Sequence, residues 1–424
     1  MSKAQDVEVV LVGNELLKGE RRDAHLAFIG RRLLSIGLQL SAAHVVRDDR
    51  EQIARLIKDR TRAARVLVVC GGLGPTHDDV TRAGVAAGLE LPLEFSEEHW
   101  REIQRRFESF GRRADESNRQ QAQFPQGAAP ISNPRGTAPG FAIECDGCMV
   151  IVLPGPPREL VPMMEEVGLP KIAGLFEKAP LYGEVFRTTG IGESAMIPHL
   201  RPVFDKHDAF DVSSLPNIGG VDIVITQKPS VVDRRRVERE AREFERNLRD
   251  YLGPKLYAKG GASLESVIGE ALVESGATLA LAESVTGGLI GKRITDVPGS
   301  SRYLAADVVA YSNTSKVSLL GVAEATLARH GAVSEAVCRE MADGIRRETG
   351  ATWALATTGI AGPAGATEEK PLGLTFYGLS WEGGAEIRER TFPGNREEIR
   401  ERVAFAALFL LHERLAAVGS NEQS

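Results

Sequence analysis

The spacing of apolar positions changes along the chain, and the changes mark out its elements. Residues 7–13, VEVVLVG, form a short apolar run of the kind a buried strand carries. Leu26, Ile29 and Leu33 then recur at helical spacing, with Gly37 placed as a C-cap. LQLSAAHVV (38–46) reads as a strand, Ile53, Leu56 and Ile57 mark a helix, and RVLVVC (65–70) is a third strand ending in glycines. Trp100, Ile103, Phe107 and Phe110 share one helical face, and MVIVL (149–153) is a strand followed by Pro-Gly-Pro-Pro. Strands alternating with helices predict a mainly parallel sheet covered on both faces.

Pro180 and Gly183 punctuate the chain before a smaller unit. EVFRTTG (184–190) and VDIVIT (221–226) read as its strands, and SVVDRRRVEREAREFERNLRD (230–250) as a helix. Its charges suit a solvated face better than a nucleic-acid contact. A second boundary lies at AKGGAS (258–263), after which the alternation returns. Helix 264–275 leads to strand 277–282, and AADVVAYS (305–312) and TWALATTG (352–359) are further strands. LGLTFYGLSW (372–381) alternates as an antiparallel or edge strand would, and REEIRERVAFAALFLLHERL (396–415) closes as a helix. The predicted fold class is α/β: two three-layer αβα domains (1–172 and 262–417), with mainly parallel sheets, joined by a small α+β module (173–258). Residues 418–424 are expected to form a disordered tail. No internal repeat relates the two halves.

A chain of 424 residues exceeds what one hydrophobic core supports, in keeping with this division. The net charge of -6, with both signs mixed along the chain, disfavours a general grip on nucleic acid or anionic membrane. The N-terminus MSKAQDVEVVLVG lacks a long apolar region, so neither a signal peptide nor a membrane span is expected. Four cysteines do not make a disulfide framework, and the cytoplasm is the expected compartment. Cys145 and Cys148 flank an Asp-Gly pair between two strand-like runs, which reads as a hairpin turn rather than a metal site.

Chemistry in open α/β sheets gathers at the C-terminal ends of strands. Three such ends stand out in the C-terminal half: AESVTGG, AYSNTSK and ATTGIAGPAG. Ser284 either caps a helix or acts as a nucleophile, and the local pattern leaves both open. A nucleophilic serine needs a base, yet His330 and His412 sit in helices and no G-x-S-x-G elbow surrounds Ser284. A buried lysine can serve instead. Lys292 is eight residues on, about 12 Å along a helix, and too far. Lys316 follows a different strand end and can come alongside, with Tyr311 near it to relay a proton or orient a substrate. Gly287 and Gly288, at a helix start, would offer backbone N–H groups to an oxyanion or phosphate. In the N-terminal half, VVCGGLGPTHDDVTRAG (68–84) is a strand, a glycine-rich turn and a helix start. Its turn suits a phosphate, and Asp78 and Asp79 either ligate a divalent cation or stabilise the helix start.

AESVTGGLIGKRITDVPGSS, VVAYSNTSKVSLLGV, GAVSEAV, TTGIAGPAGATEEKPLGLTFYGL and FPGNREEIRERVAFAAL resemble the C-terminal domain of the competence/damage-inducible CinA family. That domain is similar to PncC-type deamidases of nicotinamide mononucleotide (NMN). The resemblance implies an amidohydrolase of pyridine-nucleotide salvage, giving nicotinic acid mononucleotide and ammonia without a cofactor. It carries Ser284 over as nucleophile, Lys316 as base and Tyr311 as helper. Thr286, Gly287, Gly288, Asn313, Thr358 and Gly359 would contact the substrate, and Arg396 its phosphate. Val285 stands where the family usually has Cys.

GNELLKGE, GGLGPTHDDVT, SNRQQAQFPQGA, NPRGTAPGF and LPGPPREL resemble the family's MoaB/MogA-like N-terminal domain, and TTGIGES its KH-like middle module. This half is thereby expected to act as an ADP-ribose pyrophosphatase with Mg2+, Mn2+ or Co2+. The nucleotide would lie on Gly71, Gly72, Gly74 and Thr76, and the metal on Asp78 and Asp79. Asn14 replaces a common Thr, and RRDAH (21–25) a common Asn-Thr-Asn segment. The middle module lacks a G-x-x-G loop, so no nucleic-acid partner is expected. The resemblance also implies a homodimer. Two further readings are a non-enzymatic adaptor in competence or DNA repair, and a molybdopterin-binding N-terminal domain.

Overall fold

The computed structural model describes residues 6–176 and 180–421, and the chain divides into two compact units between Tyr182 and Gly183. The first unit contains β1 (Val7–Val12), β2 (Leu40–Val46), β3 (Val66–Cys70), β4 (Leu93–Phe95), β5 (Gln123–Pro125), β6 (Ala129–Ile131), β7 (Gly140–Cys145) and β8 (Cys148–Leu153). Its main sheet has the order β2-β1-β3-β8-β7-β6, while β4 and β5 pair separately. The first four of these strands run parallel, and β7 and β6 add an antiparallel margin. Along β1, Val7, Val9 and Leu11 pack with Ile29 and Leu33, whereas Val10 and Val12 pack with Ile53 and Ile57 on the opposite face. Both faces are covered, which is why the strand reads as one apolar run. Between β7 and β8, Cys145 faces Cys148 across a turn whose Asp146 and Gly147 have φ of 50° and 72°. That left-handed pair is what a two-residue hairpin requires.

The second unit opens with an antiparallel sheet of β9 (Gly183–Thr188), β10 (Phe210–Pro216), β11 (Val221–Gln227) and β12 (Leu256–Lys259), in the order β10-β11-β9-β12. The helix Arg234–Leu252 buries Val237, Ala241, Phe244, Leu248 and Leu252 at helical spacing and leaves its charges outside. The strand β10 escapes sequence reading because FDVSSLP is polar and lies at an edge of the sheet.

The remainder is built on β13 (Leu279–Glu283), β14 (Leu304–Val309), β15 (Trp353–Gly359), β16 (Leu374–Trp381) and β17 (Gly384–Thr391), in the order β14-β13-β15-β16-β17. The first three run parallel and the last two antiparallel. The segment expected as an antiparallel or edge strand is antiparallel, but β17 takes the edge beyond it. In β17, charges surround every apolar residue, so no apolar period marks it. Leu279 and Leu281 face the terminal helix Arg396–Asn421, and Ala280 and Ala282 face the helix Glu335–Thr349. The terminal helix extends into the segment expected as a tail, and residues 422–424 lie outside the described residues. Among the described residues no helix is long and apolar enough to cross a membrane.

The helix Asn313–Leu320 is seated through a close contact. A Cβ on Gly344 would lie 1.8 Å from the Leu320 carbonyl oxygen. Gly344→Ala is therefore expected to destabilise the second unit by about 1–3 kcal/mol. Its urea midpoint should fall with the slope unchanged.

Candidate active site

Three parallel strands deliver their ends to one place. After β13, the Ser284 N–H donates to the Thr357 carbonyl oxygen at 3.0 Å, and the Ala310 N–H donates to the Glu283 carbonyl oxygen at 2.8 Å. Beyond β14, Ser312 caps the helix Asn313–Leu320 by accepting the Ser315 N–H at 3.0 Å. The first turn of that helix carries Lys316, which is 1 % exposed. Its Nζ lies 3.0 Å from Ser284 Oγ and donates to the Ala310 carbonyl oxygen at 2.8 Å. Among the described residues no carboxylate pairs with it, and burial holds its pKa below the ordinary value of 10.5. A lysine in this setting gives up its proton more readily than an exposed one, and the serine hydroxyl lies within its reach.

A cavity of about 400 Å³ opens over this pair. Of the residues expected from sequence, Ser284, Lys316, Tyr311, Asn313, Thr358, Gly359 and Arg396 line it. Val285 lines it as well, and no described acceptor takes the Val285 backbone N–H. The wall contributed by Ala332 and Val333 lies in the GAVSEAV segment, whose resemblance assigned no residue to the site. It is fastened by Thr358 Oγ1, which donates to the Ala332 carbonyl oxygen at 2.8 Å. Lys370 Nζ donates to the carbonyl oxygens of His330 and Val333 at 2.7 and 2.8 Å. The terminal helix closes the rim. Arg396 donates to the Gly362 carbonyl oxygen at 2.6 Å and to Tyr311 Oη at 2.7 Å. Arg400, one helical turn on, donates to the Thr286 carbonyl oxygen at 2.6 Å. Arg400 carries a signal that sequence reading passed over, since its four-residue spacing puts it on the face of Arg396.

Thr286, Gly287 and Gly288 stand apart from this cavity. Glu283, fully buried, has its carboxylate under the turn and accepts the N–H groups of Gly288 and Gly291 at 2.8 and 2.7 Å. The helix start expected to hold an oxyanion is thus already occupied by the protein's own carboxyl group. Asp307 on β14 is pushed up to about 7 by burial and by Glu283 beside it. Thr286 Oγ1 is 2.7 Å from Thr357 Oγ1 in the core. Tyr311 is exposed, and its hydroxyl accepts from Arg396 rather than touching Ser284 or Lys316.

In the first unit a cavity of about 730 Å³ is lined by Gly71, Gly72, Asp78 and Asp79, but not by Gly74 or Thr76. Gly71 adopts φ 108°, and a Cβ there would meet the Val12 carbonyl oxygen at 2.3 Å. Asp79 Oδ2 accepts both the Thr76 N–H at 2.8 Å and the Thr76 hydroxyl at 2.6 Å, which ties the turn together. Asp78 lies exposed, 3.1 Å from His77. Sequence reading missed Asp48, whose carboxylate accepts the Asn14 N–H at 2.7 Å. Burial and the charges of Glu15, Asp78 and Asp79 hold Asp48 above the usual carboxylate range. Asn14 and residues 21–25, where the chain departs from its apparent family, also line this cavity. Among the described residues no group of three or more His, Cys, Asp or Glu is placed to hold a metal ion.

Comparison with known proteins places each part. Residues 261–415 match the model of the CinA C-terminal domain, residues 8–174 that of a probable molybdopterin binding domain, and residues 184–258 that of the damage-inducible protein CinA KH domain. A CinA-like protein of Solibacter usitatus is 36% identical over 97% of this chain and 98% of its own. The chain belongs to the CinA family. A second CinA relative, from Caldanaerobacter subterraneus subsp. tengcongensis, is 37% identical over 96% of this chain and 98% of its own, and is named only for competence and damage induction. A crystal structure of competence damage-inducible protein A from Klebsiella pneumoniae is 34% identical, with a TM-score of 0.35. It covers 36% of this chain and 95% of that one. In this CinA chain the sequence departures of the N-terminal domain fall in its cavity, whereas the Ser284–Lys316 contact of the C-terminal domain is intact.

The buried amine makes a prediction about stability. The unfolded chain binds a proton on Lys316 more tightly than the folded chain. Stability contributed by this residue therefore rises with pH from its depressed folded pKa up to 10.5. The slope approaches about 1.4 kcal/mol per pH unit within that window. Lys316→Met should remove this component, so that below pH 10.5 the urea stability of the variant rises less with pH than that of the wild type.

Proposed function

We propose that the C-terminal domain hydrolyses the carboxamide of NMN. The observation that carries this reading is the contact of 3.0 Å between Ser284 Oγ and the buried Lys316 Nζ, which has no counter-ion among the described residues. Lys316 takes the proton of Ser284 as Oγ attacks the amide carbon, forming a tetrahedral intermediate. The Val285 N–H faces the developing oxyanion. Lys316 returns the proton to the leaving nitrogen, the C–N bond breaks, and ammonia departs from an acyl-Ser284 ester. Water, deprotonated by Lys316, then cleaves the ester and restores the hydroxyl, releasing nicotinic acid mononucleotide. Arg396, which lines the same cavity, pairs with the substrate phosphate, and Tyr311 positions its guanidinium.

Ammonia release from NMN tests this directly. Ser284→Ala should fall to background. Lys316→Arg, which keeps the charge but cannot lose its proton, should lose about 10²–10⁴-fold in kcat. Wild-type kcat/KM should rise with pH through the depressed lysine pKa. Turnover of wild type no faster than Ser284→Ala would refute the reading.

A second reading concerns the N-terminal cavity, whose glycine turn and volume suit a nucleotide diphosphate. ADP-ribose is the proposed substrate. The described side chains do not assemble a metal-ligand set, so no step is routed through a cation there. Release of AMP from ADP-ribose by the full chain, measured with and without chelator, tests this substrate. Release that survives chelation, and survives Asp78→Asn, would exclude a metal role for the acidic pair.

A further inference from the structure

The motif TTGIGES (188–194) has no part in the proposed chemistry, yet it borders a cleft of about 470 Å³ within the second unit. The cleft lies between the KH-like sheet and the C-terminal domain. A Cβ on Gly190, whose φ is 70°, would meet the Phe409 ring at 2.7 Å, and one on Gly219 would meet the Phe405 ring at 2.5 Å. Two glycine loops therefore sit flush on the terminal helix, and the cleft opens beside them.

Its lining is rich in cations. Arg388 is neutralised by Glu386 and Glu413, but Lys255, Arg390 and Arg402 have no carboxylate partner among the described residues. Arg390 lies over the Phe392 ring at 5.0 Å. Arg402 Nε is buried and has no hydrogen-bond partner. Buried polar groups are almost always satisfied, so this guanidinium calls for an acceptor. Glu193, the acid of the motif, accepts instead from Ser214 Oγ. The buried phenol of Tyr377, kept protonated by desolvation, adds a donor. The helix Glu193–Lys206 starts here from Gly192, which offers no side-chain cap. The volume admits a small ligand and excludes a duplex.

We propose that this cleft binds the phosphate or diphosphate group of a small phosphorylated molecule, held chiefly by Arg402, Arg390 and Lys255. The site is separate from the Ser284 cavity and does not depend on the amidase reading. Calorimetric titration of the full chain with inorganic pyrophosphate and with ADP tests it. Pyrophosphate should bind wild type, and Arg402→Ala and Arg390→Ala should each weaken binding roughly tenfold or more. Arg402→Lys should weaken it less. Thermal melts of each variant separate lost binding from lost fold, and the exposed Arg390 serves if Arg402→Ala does not fold. ADP binding that falls in parallel assigns the ligand to nucleotides. Pyrophosphate binding alone assigns the site to the bare diphosphate. Absence of pyrophosphate binding to wild type at millimolar concentration, or affinity unchanged in both alanine variants, would overturn the proposal.

Discussion

A lysine amine removed from water keeps its proton only if an anion accompanies it. Lys316 has no such partner among the described residues, only the Ala310 carbonyl oxygen and the Ser284 hydroxyl. Much of the C-terminal domain is arranged around that condition. Ser312 caps the helix that carries the lysine, the tight seat against Gly344 fixes that helix, and the Ala310 N–H on Glu283 fixes the strand end beneath it. The burial that makes the amine a usable base also withdraws stability from the fold at neutral pH.

The helix start beside Ser284 illustrates how a protein excludes a misplaced ligand. Its N–H groups would attract any anion, and Glu283 takes them from below. The cavity side of the turn is left with the serine and the Val285 N–H, and the cavity lining also includes Arg396. The terminal helix does two jobs at once: its apolar face completes the core, while Arg396 and Arg400 tie the ends of three loops together. Distance along the chain conceals this, because Arg400 and Thr286 are 114 residues apart.

The N-terminal domain spends its acids differently. Asp79 holds its own turn through Thr76, and Asp48 holds the start of the segment after β1 through Asn14. Carboxylates committed to backbone and hydroxyl donors have fewer lone pairs for a cation. Asn14 and residues 21–25 line that same cavity.

Local pattern determined a good deal of this protein by itself. Buried strands such as β1 and β13 announce themselves through unbroken apolar runs, and the Asp-Gly turn before Cys148 through its backbone demand. Strand ends bearing small polar residues draw attention to Ser284 and the loop at Thr358, but local pattern leaves Ser284 open between helix cap and nucleophile, and the roles of Ser284 and Lys316 come from the resemblance. Edge strands β10 and β17 were not legible, since one-sided burial leaves no continuous apolar signal. Only the tertiary structure decided which polar groups were free and which were already satisfied. Thr286, Gly287 and Gly288 look available in sequence, but Thr286 is taken by Thr357 and Arg400, the Gly287 N–H by the Ser284 carbonyl oxygen and the Gly288 N–H by Glu283. Hydrogen bonding is a property of pairs, and a linear pattern names only one member of each.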